Sequence, residues 1–386
     1  MAQQPIETYS DVEDLLKQAN PQQPVYCIYP HIYRETVEHF VNGFPGRVLY
    51  AVKANIHPEL LRIFTEAGIK EFDCASLREI ELVRESCPDS TIYFMNPVRF
   101  KGDARAAQEK FGVRHFLIDH ASGLAPLLDE IDPANSVIFA RMAVSHASAL
   151  TNLSAKFGAK PQNIPSLLKA IAESGAEAAL AFNVGSGVKD PEAYAYAIGI
   201  VRQVLDQIPF KIRLLDIGGG FPKSYPGYVV PPLEDYFART RTAAIELPLA
   251  DNGEMLSEPG RALSAPGLSA VTCVLLRKTD RVYLNDGMFG IFWDLRVKGQ
   301  LEYPCRVFRN GRLLQGAKKS FRVLGPTCDS DDELPARIEL PADIDVGDHI
   351  EFGTIGAYSL SGRSDFNGFY SDNIVSFTDS RARPPA

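Results

Sequence analysis

Tryptophan occurs once in these 386 residues, and the six cysteines form no CxxC pair. Cys27, Cys74, Cys87, Cys273, Cys305 and Cys328 therefore suggest neither a zinc ribbon nor a disulfide framework. The seven histidines include no HExxH or similar metal-binding cluster, so no metal is expected. A formal charge of -8 with no basic patch argues against a nucleic-acid surface, which wants clustered Lys and Arg. No apolar run is long enough to span a bilayer, and the opening stretch "MAQQPIETYSDVEDLLKQ" lacks the apolar core of a signal peptide. The expectation is a cytosolic, cytoplasmic protein with no nucleic-acid or membrane partner. What is present is ordinary globular composition, 45% apolar and 23% charged, in a chain long enough for two domains.

Short apolar runs recur between helical patterns from residue 47 to 261: "RVLYAVKA", "EFDCAS", "TIYFMNPV", "HFLIDH", "SVIFARMAV", "LAFNVGS", "RLLDIGGG" and "MLSEPGR". Between them, stretches such as "PELLRIFTEAG" and "EAYAYAIGIVRQVLDQI" carry apolar residues at three- and four-residue steps. Strand-helix alternation builds parallel sheet, and eight units close into a (β/α)8, TIM-like barrel, predicted over 31–265. A doubly wound open sheet is disfavoured by the count. After Arg261 the texture turns β-rich, with Gly, Asn and Asp turns, which predicts an antiparallel β-domain over 266–386. The N-terminal segment, 1–30, contains "PVYCIYP", a strand expected to join that second domain.

In such a barrel the chemistry sits at the carboxyl ends of the strands. Those ends carry Lys53, Asp73, Arg141, Asn183, Gly218 to Gly220, and Glu258 with Arg261, which would converge on one mouth. Singly, each has a plain alternative: a snorkelling lysine, a helix cap, a structural ion pair, a tight turn. Together they supply an amine, a run of backbone N–H groups suited to a phosphate, and a carboxylate. Those are the needs of pyridoxal 5'-phosphate: an amine for its aldehyde, N–H donors for its dianion and an acid for its pyridinium nitrogen.

The motifs "YAVKAN", "FDCASLREI", "LLDIGGGFP", "EPGR", "GPTCDSDD" and "GAYSLSGRSDFNGF", in that order, resemble the fold-type III pyridoxal phosphate decarboxylases of basic amino acids. Within that family the likeness is nearest to the ornithine decarboxylases and runs from about residue 25 to 378. It implies that Lys53 carries the cofactor and that Glu258 pairs with the pyridine nitrogen. Ser186, Gly218, Gly219, Gly220, Arg261 and Tyr358 would hold the phosphate, with Asp73, Glu79 and Arg141 around the cofactor. "GPTCDSDD" is similar to a loop that such enzymes lend across a homodimer interface into a shared active site. On that likeness Cys328 lies beside the reacting carbon and Asp329 accepts the distal ammonium of a basic amino acid. Phe366 would line the substrate channel, and Asp294 would be a second acid for the amine. The product would be a diamine, as in polyamine biosynthesis.

One position departs from the pattern. Asn183, in "FNVGS", stands where the family has a histidine stacked on the cofactor ring. The amide is smaller and non-aromatic, so a larger diamino acid conjugate, such as carboxynorspermidine or a siderophore intermediate, is an alternative substrate. A non-catalytic homologue that binds a regulatory partner is a third reading. Asp329, in place of a glutamate, argues for a terminal amine over the distal end of diaminopimelate.

Overall fold

In the computed structural model, residues 6–297 and 301–386 are described. They form two compact units: one comprises Val37–Pro222 and Val230–Leu263, the other the chain up to Thr36, Lys223–Val229 and Ser264–Ala386.

The first unit is a closed barrel of eight parallel strands: Arg47–Ala51, Glu71–Cys74, Thr91–Phe94, His115–Ile118, Val137–Ala143, Glu177–Asn183, Leu214–Asp216 and Glu254–Ser257. They pair in sequence order, and the last closes on the first through Ser257 opposite Val48. All eight expected runs are barrel strands. Both faces of each are covered, which is why they read as near-continuous apolar runs without alternation. In the first strand Leu49 joins the barrel interior with Tyr93, Phe139, Leu214 and Leu256. Its neighbour Tyr50 turns outward to meet Phe64, edge-on at 4.7 Å, on the helix Pro58–Glu66. That helix begins with proline at its first position and buries Leu60, Leu61, Ile63 and Phe64.

The second unit is built on a sheet of ten strands among the described residues. Its longest strand, Leu268–Lys278, pairs antiparallel with Val25–Ile28, Arg281–Leu284 and His349–Phe352. The expected N-terminal strand thus joins this sheet. Three pairings are parallel, so the sheet is mixed: Glu7–Tyr9 and Val25–Ile28 each run alongside Ile374–Phe377, and Arg281–Leu284 alongside Lys318–Leu324. Parallel neighbours cannot be joined by a tight turn, so the two ends of the chain supply the first two pairs. The helix Val12–Gln18, capped by Asp11 through the Asp14 N–H at 2.9 Å, buries Val12, Leu15 and Leu16 against Val25, Phe308 and Phe377. No helix among the described residues is long and apolar enough to cross a membrane.

Candidate active site

The first barrel strand runs into a single 3-10 turn, Val52–Ala54. Val52 and Ala54 are buried, and Lys53 between them is half-exposed. The turn is fixed from both sides. Tyr50 Oη donates to the Asn55 carbonyl at 3.0 Å, and Asn55 Oδ1 accepts the His57 N–H at 3.1 Å. A rigid backbone therefore presents the amine, with Nζ 3.3 Å from Oδ2 of buried Asp73 at the end of the second strand.

Glu79 stands behind this pair. Ser76 caps its helix by accepting the Glu79 N–H at 3.2 Å, and Glu79 Oε2 accepts the Ala75 N–H at 2.6 Å. Burial pushes the Glu79 carboxyl up, with Asp73 adding to it and the Ala75 N–H and Lys53 opposing. Arg141, half-buried on the fifth strand, lies 5.6 Å over the Phe157 ring. Asn183 ends the sixth strand and is buried; its Oδ1 accepts the Gly185 N–H at 3.0 Å. The side chain at the departing position is thus tied into its own turn. Ser186 follows, opposite Thr151 in a short antiparallel pair of strands, Ala149–Thr151 with Ser186–Val188.

The glycine turn after the seventh strand leaves no room for side chains. Gly218 and Gly220 have φ of 71° and 98°, and a Cβ on Gly218 would strike the Phe182 carbonyl. A Cβ on Gly219 would lie 2.5 Å from the Glu258 carbonyl oxygen, and one on Gly220 2.7 Å from that of Gly185. Tyr194 Oη donates to the Gly219 carbonyl at 2.9 Å. Among the described residues no acceptor takes the N–H of Gly219 or Gly220. Two such donors in a largely buried turn fit an anion. Arg261, buried, starts the short helix that follows the eighth strand.

Glu258, whose N–H donates to the Gly218 carbonyl at 2.8 Å, carries the acid of the site. Burial, then the carboxyls of Asp216 and Asp73, push its own carboxyl well up, while Lys53 opposes. Asp216, the last residue of the seventh strand, is fully buried and also pushed up, to about 6. Asp216 is not among the residues predicted from the sequence. Its signal was the one that found Asp73, an acid ending an apolar run.

The second unit carries the remaining predicted residues. Cys328 and Asp329 are exposed on one loop, where the Cys328 N–H donates to Asn367 Oδ1 at 3.1 Å. Beside Asn367, Phe366 stacks on Phe289 at 4.5 Å, and Arg296 lies 4.2 Å over the Phe289 ring. The loop is anchored by Asp332, the last residue of "GPTCDSDD", which carried no predicted role. Its buried carboxylate accepts the Met288 N–H at 2.7 Å and the Thr327 N–H at 3.0 Å. Asp294 is buried inside this unit, on the helix Trp293–Val297, and Tyr358 sits in a left-handed turn with φ of 65°.

Residues 31–265 match the family described as pyridoxal-dependent decarboxylase, pyridoxal binding domain. The chain belongs to that family. Among curated relatives, the ornithine decarboxylase of Schizosaccharomyces pombe is 34% identical over 89% of this chain and 81% of its own length. Antizyme inhibitor 2 of Xenopus laevis is 30% identical over 86% of this chain and 75% of its own. Among solved structures, the lysine/ornithine decarboxylase of Vibrio vulnificus complexed with putrescine superposes with a TM-score of 0.82 at 27% identity, covering 95% of this chain and 97% of the other. The cofactor of a pyridoxal-dependent decarboxylase fits the barrel mouth on its chemistry. It would meet an amine on a hydrogen-bonded turn, two N–H donors without an acceptor among the described residues, and a buried acid whose raised affinity for a proton a cationic ring nitrogen would relieve.

Proposed function

We propose that this chain is a cytosolic, homodimeric pyridoxal phosphate-dependent decarboxylase that converts a basic L-amino acid, ornithine or lysine, to the corresponding diamine. One observation carries the reading: the Lys53 amine, 3.3 Å from Asp73, at the barrel end that also holds the glycine turn and Glu258. Lys53 would hold the cofactor, and Glu258 would keep a proton on its ring nitrogen. The phosphate would lie on the Gly219 and Gly220 N–H groups with Ser186, Arg261 and Tyr358. When bound, the cofactor supplies an electron sink for the pair left at the α-carbon as the carboxylate departs as CO2. Cys328 Sγ would return a proton to that carbon. Asp329 would accept the distal ammonium, and Phe366 would line the approach to it; exposed Asp329 suits this role better than buried Asp294.

Product analysis after incubating the holoenzyme with a panel of basic amino acids tests this directly. Putrescine from ornithine or cadaverine from lysine, with equimolar CO2, is expected. Failure of the protein to bind the cofactor at all would turn the reading to a non-catalytic homologue that binds a regulatory partner.

The geometry of Asn183 keeps one second reading in view. Its side chain is spent on Gly185 and is smaller than an imidazole, which leaves space over the ring for a bulkier diamino acid conjugate. Turnover of carboxynorspermidine, with none of ornithine or lysine, would select it.

A further inference from the structure

Asp216 has no part in the roles assigned above, yet it is fully buried at the carboxyl end of a barrel strand. Its Oδ1 accepts the Gly218 N–H at 2.7 Å, and among the described residues no donor is bonded to Oδ2. Asp216 is the ladder partner of Leu256, two residues before Glu258 on the neighbouring strand, which sets the two carboxyls beside one another. Two neighbouring carboxyls in a buried site do not both ionise, because the like charges repel and neither is solvated. A single proton shared between them would relieve that repulsion. The charged groups around the pair are Lys53, Asp73 and Arg141, with the phenol of Tyr93 on the third strand. Lys53 and Arg141 favour ionisation and Asp73 opposes it. With that proton shared, the pair stands one proton short of full charge and within reach of two cations.

We infer that Asp216 is a positioning residue for the cofactor: one carboxyl oxygen fixes the first N–H of the glycine turn, while the carboxyl, through a shared proton, orients Glu258 beneath the ring nitrogen. The backbone around it reinforces this coupling. Glu258 N–H donates to the Gly218 carbonyl, and Gly219 packs so closely on the Glu258 carbonyl that no Cβ fits. The acid under the ring and the turn under the phosphate are then a single element, with Asp216 as its hinge pin. Both carboxyls carry raised proton affinity, in keeping with a shared proton. The inference rests on the assignment of Lys53 and Glu258 to the cofactor.

Asp216→Asn separates this role from plain packing. The amide oxygen still accepts from Gly218, and the amide nitrogen replaces the shared proton by a fixed donor to Glu258. In the cofactor-free protein the wild-type pair costs stability as pH rises, because a carboxyl with a raised folded pKa must ionise in a buried site. The variant, with one acid fewer, should melt higher than wild type at about pH 8, and the gap should close towards about pH 5. Cofactor affinity should move the opposite way. The dissociation constant, read from the visible absorbance on titration, should rise about tenfold, equivalent to one unit of pKa perturbation at Glu258. A variant that is more stable when empty yet binds the cofactor more weakly supports the inference. A variant that melts lower at both pH values, or binds the cofactor as wild type does, overturns it. Lys53→Ala, measured alongside, identifies the other failure: if it keeps the visible band, the cofactor assignment is wrong, and the melting comparison still decides whether Asp216 and Glu258 share a proton.

Discussion

The two units hold their candidate residues in contrasting ways. In the barrel, Lys53, Asp73, Asn183, the glycine turn and Glu258 stand at the ends of strands whose backbones are fixed on both sides by the parallel ladder. In the sheet unit, Cys328 and Asp329 ride on an exposed loop held by a few bonds, chief among them those to the buried carboxylate of Asp332 and the Cys328 N–H bond to Asn367. Placement by a ladder is shared over many hydrogen bonds, whereas placement by a few bonds is weakened when one side chain is lost. The barrel is therefore suited to holding a bound group in one fixed pose.

Mutations can break this comparison at its strongest point. Lys53→Ala and Cys328→Ala should each abolish turnover, but only the first should abolish the cofactor's visible absorbance. Mixed and allowed to exchange subunits, the two inactive proteins should regain roughly a quarter of wild-type activity, as expected where each site of a twofold dimer draws on both chains. No recovery despite proven exchange would place Cys328 in the site of its own subunit.

Asp332→Ala removes the loop's buried anchor. It leaves the Met288 and Thr327 N–H groups without their acceptor and opens space beside Gly287 and Gly325. The cost should be about 2–5 kcal/mol in the stability of the sheet unit, measured by denaturant unfolding. Turnover should fall with the loop while cofactor affinity stays as in wild type; parallel loss of both would contradict separate placement.

Asp329→Ala, on the exposed side of the same loop, should weaken diamino acids against monoamino acids. Truncating one partner of a desolvated charge pair costs about 2–5 kcal/mol, and partial exposure of the site brings this to the low end. The ratio of kcat/KM for ornithine to that for norleucine reads it, and an unchanged ratio removes Asp329 from substrate recognition.

The barrel strands were legible in the sequence because burial of both faces writes each as an unbroken apolar run, and a polar residue ending such a run stands out. Lys53, Asp73 and Glu258 were found that way. Asp216 gives the same signal, but the glycines beside it drew the reading to backbone donors. The sheet unit was harder to read. Two of its three parallel pairs join residues from opposite ends of the chain, such as Tyr9 with Phe377, and no local turn marks them. In "CDSDD" composition alone does not tell the buried aspartate, Asp332, from the exposed Asp329 and Asp331. Only the fold shows which carboxylate faces the Met288 N–H.

A smaller effect sharpens the contrast in pH. Asp286, in the sheet unit, is pushed up to about 6 by burial, against N–H bonds from Gly287 and Ile291 that favour its ionised form. A carboxyl raised in the folded state costs stability as pH climbs through about 4 to 6, and no further above that. Asp286→Asn keeps both N–H bonds through Oδ1 and should flatten that part of the stability profile, by at most about 3 kcal/mol. Cofactor affinity should not change, in contrast to Asp216→Asn. Asn183→His should be smaller still, an overpacking cost of roughly 1–3 kcal/mol against a bulky substrate, with tighter cofactor binding if ornithine or lysine is used.

The most direct measurement is made on wild type and Lys53→Ala side by side, each mixed with pyridoxal 5'-phosphate and then with ornithine or lysine, while visible absorbance and released CO2 are followed. Wild type should develop the bound-cofactor band and release one CO2 for each diamine formed, and Lys53→Ala should do neither. A Lys53→Ala protein that keeps the band and the turnover would contradict the account, because the barrel mouth would then not be where the cofactor is held.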